Sequence, residues 1–548
     1  MTTAIFGRAA TRVGSQSLKG PLLILAASII GFAISRRGLY YLAESSELAA
    51  SSIVAASFCL ALALSRLRYA DMTAALRITM RTIGIFVLIQ MLFDAFGPFP
   101  GPPNILFGSN PPYFYFRFIA VLGVVSGFAS LWRPSFLIPL YLYYVGWRTL
   151  IGTLSGISVD TTDYLGMVDA AYFSTVGTFV TLGLTAPWTL NRFPFLRTTL
   201  LGAEDPAQVR QVAFGLVWSC AVGAHLGSYF WSGMMKVHVG GNNLLTWALH
   251  NPTQTSMVIG LERGDSPLGL WPRLMQLVWD GIINSQPFMN LFVLGTQLLS
   301  PLAALSLPVL SIFCLLFDVF HIGVYLTLGA LFFFWIGVNL VIVAAAATIP
   351  RGGFTTPMKL VMAATVVLGH YVFYTNYLGW LDSAKLAATR FYAETRDGRE
   401  VWVPVNYFGV YSYNLAQTAG YIPDDHFRFR LGGNNHDMKM WEDALTCGPE
   451  TIHHQSTGVS LQSVEDLVRH VDALMREHPF VKDYNLFYFY PHHMLPNPWL
   501  FRDFNNVSID DIVGYKYVVQ SACLTLKDGK LDRDVHKESD FPISIDHK

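Results

Sequence analysis

One lysine follows a long apolar segment of the sequence. Between Gln211 and Met235 the only side chain that can carry a charge is His225, and Lys236 comes directly after. An ammonium group at a membrane boundary is costly unless it reaches water, pairs with an anion or takes part in chemistry. Lys236 is therefore either a lysine that snorkels to the surface or a general base that acts as a neutral amine.

Other ionisable residues lie in or near apolar segments, where such residues often mark functional sites. Taken singly, each has a structural explanation: an ion pair between neighbouring helices for Arg148 and Asp169, a hydrogen-bonded core residue for a lone histidine. As a group they predict a polar cavity among apolar helices. The set is Asp94, Arg148, Asp169, His225, Asp318, His321 and His370.

The composition is typical of an integral membrane protein. Of the 548 residues, 52% are hydrophobic and 14% are charged, against about 25% charged in a typical soluble domain. Lys and Arg exceed Asp and Glu in residues 1–380, and the reverse holds in 381–548. The change of sign, with the loss of apolar runs near Asp382, predicts a membrane domain over 1–380 and a water-soluble domain over 381–548.

Eleven apolar segments are candidates for spanning helices, which need about 20 residues each. We therefore predict a mainly α fold, a polytopic transmembrane helix bundle of about 10–11 spans. The Trp-rich segment 237–286 predicts interfacial, half-embedded helices. The candidate spans are 20–35, 48–65, 82–97, 116–132, 134–154, 165–187, 211–235, 288–305, 307–327, 328–348 and 359–380.

Basic loops predict the orientation, because Lys and Arg favour the cytoplasmic side. The most basic short loop carries Arg66, Arg68, Arg77 and Arg81, which places the N-terminus in the cytoplasm. With eleven spans, the C-terminal domain lies in a periplasm or lumen. Cys447 and Cys523 then either form a disulfide in an oxidising compartment or remain thiols in the cytosol.

The polar part predicts an α+β domain. Asp397-Gly398 and Asp528-Gly529 are hairpin turn signals within Phe391–Pro404 and Tyr515–Leu531. Between them, Ser463–His478 has apolar residues at helical spacing.

The segment Tyr229–Lys236, YFWSGMMK, has serine and glycine four and three positions before its lysine. It resembles the lysine segment of vitamin K-dependent γ-carboxylases and of their bacterial relatives, the horizontally transferred transmembrane (HTTM) proteins. Trp247 resembles a tryptophan of that family, displaced by an insertion around Gly240-Gly241. Phe320-His321, followed by an aromatic helix, is similar to the family's phenylalanine-histidine helix. The HTTM-like core is expected over residues 50–380.

The resemblance implies a chemistry. In the carboxylases a lysine near the membrane surface deprotonates vitamin K hydroquinone, and the oxygenated quinone removes a proton from a glutamate side chain so that CO2 can add. It implies Lys236 as the base, with His321 and Asp318 assisting, and a reduced quinone as one cofactor option.

Two departures argue against glutamate carboxylation itself. The family's histidine before a Tyr-Leu pair is Asp163 here, and its second lysine is Met235. A quinone, a lipid or a peptide remains open as substrate.

Three functions follow as hypotheses. The first is a membrane-embedded enzyme that modifies a protein or lipid-soluble substrate with Lys236 as base. The second is a non-enzymatic assembly, maturation or scaffold component that binds a partner protein through the C-terminal domain. The third is a transporter with Arg148, Asp169 and Asp318 as its ion path, although no internal repeat is apparent in the sequence.

The expected partners are the lipid bilayer and a protein, with no nucleic acid. Nucleotide-binding, zinc-protease and serine-hydrolase motifs are absent from the sequence. No metal centre is predicted, and the histidine pairs 453–454 and 492–493 are read as incidental.

Overall fold

The computed structural model describes twelve parts of the chain. They are residues 19–43, 47–65, 68–96, 113–141, 206–373, 382, 385–404, 407–408, 421–423, 425–426, 460–477 and 496–545. Within these residues the protein is mainly helical, with one antiparallel sheet near the C-terminus.

Eleven helices precede the sheet in the described residues. They are α1 (Lys19–Ala43), α2 (Glu47–Ala63), α3 (Ala74–Phe96), α4 (Tyr113–Ser130), α5 (Pro206–Val239), α6 (Thr246–His250), α7 (Thr255–Arg263), α8 (Pro272–Leu298), α9 (Leu307–Leu328), α10 (Phe333–Ala346) and α11 (Thr356–Leu368).

Two of the described helices are long and apolar enough to cross a membrane. They are Gln211–Val239 within α5 and Leu307–Leu328, which is α9. The polytopic bundle of 10–11 spans is not confirmed and stays a prediction. Candidate span 165–187 and most of 134–154 lie outside the described residues.

The structure corrects two predicted spans. Segment 288–305 is not one helix: α8 begins far upstream at Pro272 and ends at Leu298, and a 3-10 turn follows over Ser300–Leu305. Pro301 lacks the backbone N–H that a continuing helix needs. Segment 328–348 also starts late, at Phe333, because Gly329 takes a left-handed conformation (φ 82°) that ends α9.

Helix α5 is the centre of the helical part. It packs against α1, α8 and α11, and nearly all of its apolar length is covered by protein. Small residues permit the close approach: a Cβ added at Gly223 would lie 2.7 Å from the Met362 carbonyl oxygen of α11. A side chain at Gly233 would likewise press on Gln297 of α8.

Helix α9 has two unlike faces. Its covered face carries Asp318 and His321 together with apolar residues such as Phe317. Its exposed face is wholly apolar and repeats at helical spacing, with Ile312, Leu315, Val319, Ile322 and Leu326.

The C-terminal sheet has the strand order β2-β1-β3-β4 and is antiparallel throughout. Its strands are β1 (Lys385–Thr395), β2 (Glu400–Val403), β3 (Ile512–Lys527) and β4 (Lys530–Ser544). Both predicted hairpins are confirmed. At the β3–β4 turn Asp528 and Gly529 both have positive φ, 52° and 69°, as a two-residue type I′ turn requires.

The predicted amphipathic helix is also present, as α12 (Leu461–Glu477). Its apolar side, including Val464, Leu467 and Val471, is buried in one core with strand residues such as Phe391 and Tyr517. A short helix, α13 (Arg502–Asn506), precedes β3.

A buried carboxylate joins the sheet to the helical part. Glu262 on α7 is 2% exposed and pairs with Arg390 of β1 and Arg533 of β4, the latter at 2.7 Å. The β3–β4 turn reaches α8, where Gly529 N donates to Gln276 Oε1 at 2.9 Å. The sheet is therefore held against α7 and the N-terminal part of α8.

Candidate functional site

One face of α5 carries a polar stripe. Tyr229, Ser232 and Lys236 follow His225 by four, seven and eleven residues, and these offsets fall on one side of an α-helix. His225 and Lys236 are buried, at 0% and 4% exposure. A single apolar helix thus presents a histidine, a phenol and an amine in the same direction.

The inner end of the stripe belongs to a buried hydrogen-bond network, which we call the inner network. It consists of His225, Tyr229, Asp318, His321 and Asn339, contributed by α5, α9 and α10. Asn339 is at its centre, 2.9 Å from His225 Nε2, 3.0 Å from the Tyr229 hydroxyl and 2.8 Å from Asp318 Oδ1. The Tyr229 hydroxyl lies 3.1 Å from His321 Nε2.

The partners of Asn339 fix the direction of its hydrogen bonds. The Asn339 amide donates its two hydrogens to Tyr229 and Asp318, so its oxygen accepts from His225 Nε2–H. Tyr229 accepts from Asn339, and its hydroxyl also lies within hydrogen-bond distance of His321 Nε2, where the tautomer of His321 decides which group donates.

Aromatic rings enclose the inner network. Tyr229 stacks on Phe317 with centroids 3.7 Å apart, and His225 stacks on Trp335 at 5.2 Å. The second oxygen of Asp318 is buried and has no hydrogen-bond partner among the described residues. A low-polarity wall makes hydrogen bonds and charges inside it stronger than they are in water.

The outer end of the stripe is a second polar cluster, the outer cluster, around Lys236. The Lys236 ammonium lies 5.3 Å from the centroid of the Trp247 ring, a cation–π distance. The carboxylate of Asp382 interacts with it electrostatically. Lys236 is thus buried beside an aromatic ring, and it does not extend freely into water.

The inner network and the outer cluster lie at different levels along the axis of α5. Tyr229 and Lys236 are two turns apart on α5, about 10 Å along the helix axis at 1.5 Å per residue. The structure brings Asp318 and His321 together through Asn339 and Tyr229, and it places Lys236 on the same face two turns away.

The resemblance to carboxylases involves both clusters. Tyr229, Ser232 and Lys236 of the resembling segment form the stripe, and Trp247 stacks on the lysine. No protein-family model, curated protein or solved structure matches the chain. Membership of the carboxylase and HTTM family therefore stays a prediction, and the site is argued from its contacts.

Several predicted residues lie elsewhere. His370 follows α11 and packs on Trp231 with ring centroids 4.5 Å apart. Among the described residues, no group of three His, Cys, Asp or Glu side chains could hold a metal ion. Outside the described residues lie Arg148, Asp163, Asp169, Cys447 and the histidine pairs 453–454 and 492–493.

Four residues of the site are not predicted by the sequence alone. Tyr229 stands out only as part of the YFWSGMMK segment and Asp382 only at the domain boundary, while Asn251 and Asn339 do not stand out. Asn339 is an isolated amide in an apolar helix, and that oddity was the one available signal. Asn251 and Asp382 lie in segments where polar residues are ordinary.

Asp265, just beyond α7, has a shifted titration. Burial raises its pKa to about 6, although Arg263 at 2.8 Å lowers it. Its backbone N–H donates to Gly260 O at 2.8 Å. A Cβ added at Gly329, the end of α9, would meet Asp265 at 2.4 Å. The α7 turn is therefore packed directly against the end of the helix that carries Asp318 and His321.

Cys523 on β3 is disulfide-bonded, whereas Cys59, Cys220 and Cys314 are free. Cys447, the other member of the predicted pair, lies outside the described residues.

Proposed function

We propose that the protein is a multi-pass membrane enzyme that removes a proton from a lipid-soluble substrate, with Lys236 as the base. The observation that carries the proposal is the environment of Lys236: a buried amine against Trp247, on the helix face that also bears Tyr229 of the inner network. A lysine that only snorkels would extend into water.

The exposed surface of α9 supports a membrane setting. Its fully exposed side chains are apolar, and its two ionisable residues Asp318 and His321 lie on the covered face. Water favours the opposite arrangement, whereas lipid favours this one.

The chemistry follows from whether each group can accept or donate a proton. A neutral Lys236 amine accepts a proton from an acidic hydroxyl, and the ammonium that forms stabilises the new oxyanion. His321, fixed by Tyr229, and Asp318, fixed by Asn339, supply further groups that exchange protons at the inner end. A reduced quinone is the cofactor class that the resemblance favours, and Lys236 is the group that would take its proton.

The disulfide supports the proposed topology. Disulfides persist in oxidising compartments and are rare in the cytosol. Cys523 is bonded in this way, so we place the C-terminal sheet in a periplasm or lumen and the N-terminus in the cytoplasm.

The test compares Lys236→Ala and His321→Ala with Lys359→Ala in cells that lack the native gene. Lys359 is a matched control, because its ammonium also stacks on an aromatic ring, Phe354, at 5.7 Å. Lipid extracts and total protein are compared by mass spectrometry, with expression and thermal unfolding measured for each variant.

A modified lipid or protein should disappear in the Lys236 and His321 variants and persist in the Lys359 variant. Products unchanged by Lys236→Ala overturn the enzyme proposal. In that case, loss of a co-purifying protein on disruption of the C-terminal sheet would instead support the scaffold hypothesis.

A further inference from the structure

We propose that Asp382 is the counter-ion of Lys236, so that the segment leading into the C-terminal sheet completes the site. This inference rests on the proposed function and adds a positioning residue to it. Asp382 is 2% exposed although it stands next to a polar domain.

Asn251 holds Asp382 by a reciprocal pair of hydrogen bonds. Its Nδ2 donates to Asp382 Oδ2 at 2.7 Å, and its Oδ1 accepts from the Asp382 backbone N–H at 2.9 Å. Such a two-point contact fixes both the backbone and the carboxylate. Asn251 therefore holds the acid at two points.

The same asparagine connects Asp382 to the residues around the lysine. Asn251 N donates to Trp247 O at 2.9 Å, and the Trp247 ring lies beside the Lys236 ammonium. Asn290 of α8 donates to Asn251 O at 2.8 Å and accepts from Thr253, which in turn accepts from Asn251 Nδ2 at 3.0 Å. The acid is thus anchored on α6 and α8, the elements that pack against the end of α5.

The carboxylate balances the charge that Lys236 acquires in the reaction. When the amine takes the substrate's proton, one substrate O–H bond breaks, one N–H bond forms at Nζ, and an ammonium and an oxyanion result. In a buried site an ammonium is costly unless an opposite charge accompanies it, and Asp382 supplies that charge.

Other titratable groups near Lys236 do not share the acid's position. His238 on α5 is exposed and bonds Asn242 at 2.9 Å, and His250 on α6 is exposed. Arg273 and Asp280, the charged residues of α8, are exposed and lie in the N-terminal part of that helix. His370 packs on Trp231.

The experiment measures the rate at which a membrane-permeant acylating reagent modifies Lys236 in the full-length protein in detergent, by peptide mass spectrometry, from neutral to alkaline pH. Only the neutral amine reacts, and a nearby carboxylate favours the ammonium. Asp382→Asn should raise the rate severalfold at neutral pH and leave the alkaline rate unchanged. Asp382→Glu should restore the original profile, and Asp280→Asn, an exposed carboxylate on α8, should have no effect.

Each other outcome overturns the inference. Equal labelling rates in Asp382→Asn and the parent chain would exclude an electrostatic role for Asp382. A labelling rate that rises at both neutral and alkaline pH would show instead that the substitution makes Lys236 more accessible. Asn251→Ala keeps the carboxylate of Asp382 but removes the hydrogen bonds that hold it. This variant should shift the pH profile of Lys236 labelling part of the way toward that of Asp382→Asn. Labelling of Lys236 needs no substrate. A negative result would therefore overturn the role of Asp382 without affecting the separate test of product formation in Lys236→Ala.

Discussion

Asn339 Nδ2 lies 3.0 Å from the Tyr229 hydroxyl, although the two residues are 110 positions apart in the chain. The same hydroxyl lies 3.1 Å from His321 Nε2. One phenol thus connects the amide of α10 to the histidine of α9.

Removal of that phenol should be costly. Tyr229→Phe removes the hydroxyl that bonds Asn339 Nδ2 and His321 Nε2, so we expect a loss of about 1–3 kcal/mol in unfolding free energy. Thermal unfolding in detergent measures it. Tyr371→Phe is the control, because Tyr371 is 77% exposed; equal effects of the two changes would contradict the network.

The packing of α5 on α11 predicts a contrast between two glycines. In Gly223→Ala the new Cβ meets the Met362 carbonyl at 2.7 Å and Thr365 Cβ at 2.8 Å, and we expect destabilisation by about 1–3 kcal/mol. Gly323 on α9 has nothing within 4 Å of a new Cβ. Gly323→Ala should be neutral or stabilising by up to about 1 kcal/mol. Similar melting temperatures for both variants would argue against the close approach.

The junction at Glu262 should be much stronger than a surface ion pair. Glu262→Gln leaves Arg390, itself mostly buried, without its carboxylate, and breaking such a pair costs about 3–5 kcal/mol. Glu465→Gln on α12 disrupts a more exposed pair with Arg469, for which we expect less than about 1 kcal/mol. Limited proteolysis of the C-terminal sheet, together with thermal unfolding, distinguishes the two; unchanged protection in Glu262→Gln would refute a docking role.

Asp265 predicts how stability depends on pH. Its folded pKa of about 6 lies above the reference value of 3.8, so the folded state binds the proton more tightly than the unfolded state. This contribution is present in full below about pH 4 and is lost as pH rises through 6, a difference of about 3 kcal/mol. Asp265→Asn should flatten the unfolding free energy between pH 4 and 7, and an unchanged slope would exclude Asp265 as its source.

The disulfide predicts a count of thiols. If Cys523 pairs with Cys447, the denatured chain exposes only Cys59, Cys220 and Cys314 to a maleimide before reduction, and two more thiols after it. The number of reactive cysteines is measured by mass spectrometry on protein whose free thiols were blocked at lysis. Five reactive cysteines before reduction would place Cys523 in a reducing compartment and reverse the proposed topology.

Local signals in the sequence predicted local structure well. The Asp-Gly turns and the spacing of Val464, Leu467 and Val471 act over a few residues, and the hairpins and α12 followed from them. The predicted helix ends are less accurate, because hydropathy alone does not detect the helix breaks at Pro301 and Gly329 within continuous apolar segments.

The site was predictable only where charge stands out. Lys236, Asp318 and His321 were selected because ionisable side chains are rare in apolar segments. Asn339 and Asn251 carry no charge, and their contacts join residues more than 100 positions apart. No periodicity in one sequence encodes such a pairing.

The distance in sequence between Asn251 and Asp382, 131 residues, has a consequence for biosynthesis. A ribosome makes Asn251 well before it makes Asp382. The reciprocal hydrogen bonds between the two residues therefore form only after translation has passed the start of the sheet. Until then the nascent chain lacks the residue that joins α6 to the beginning of the C-terminal sheet.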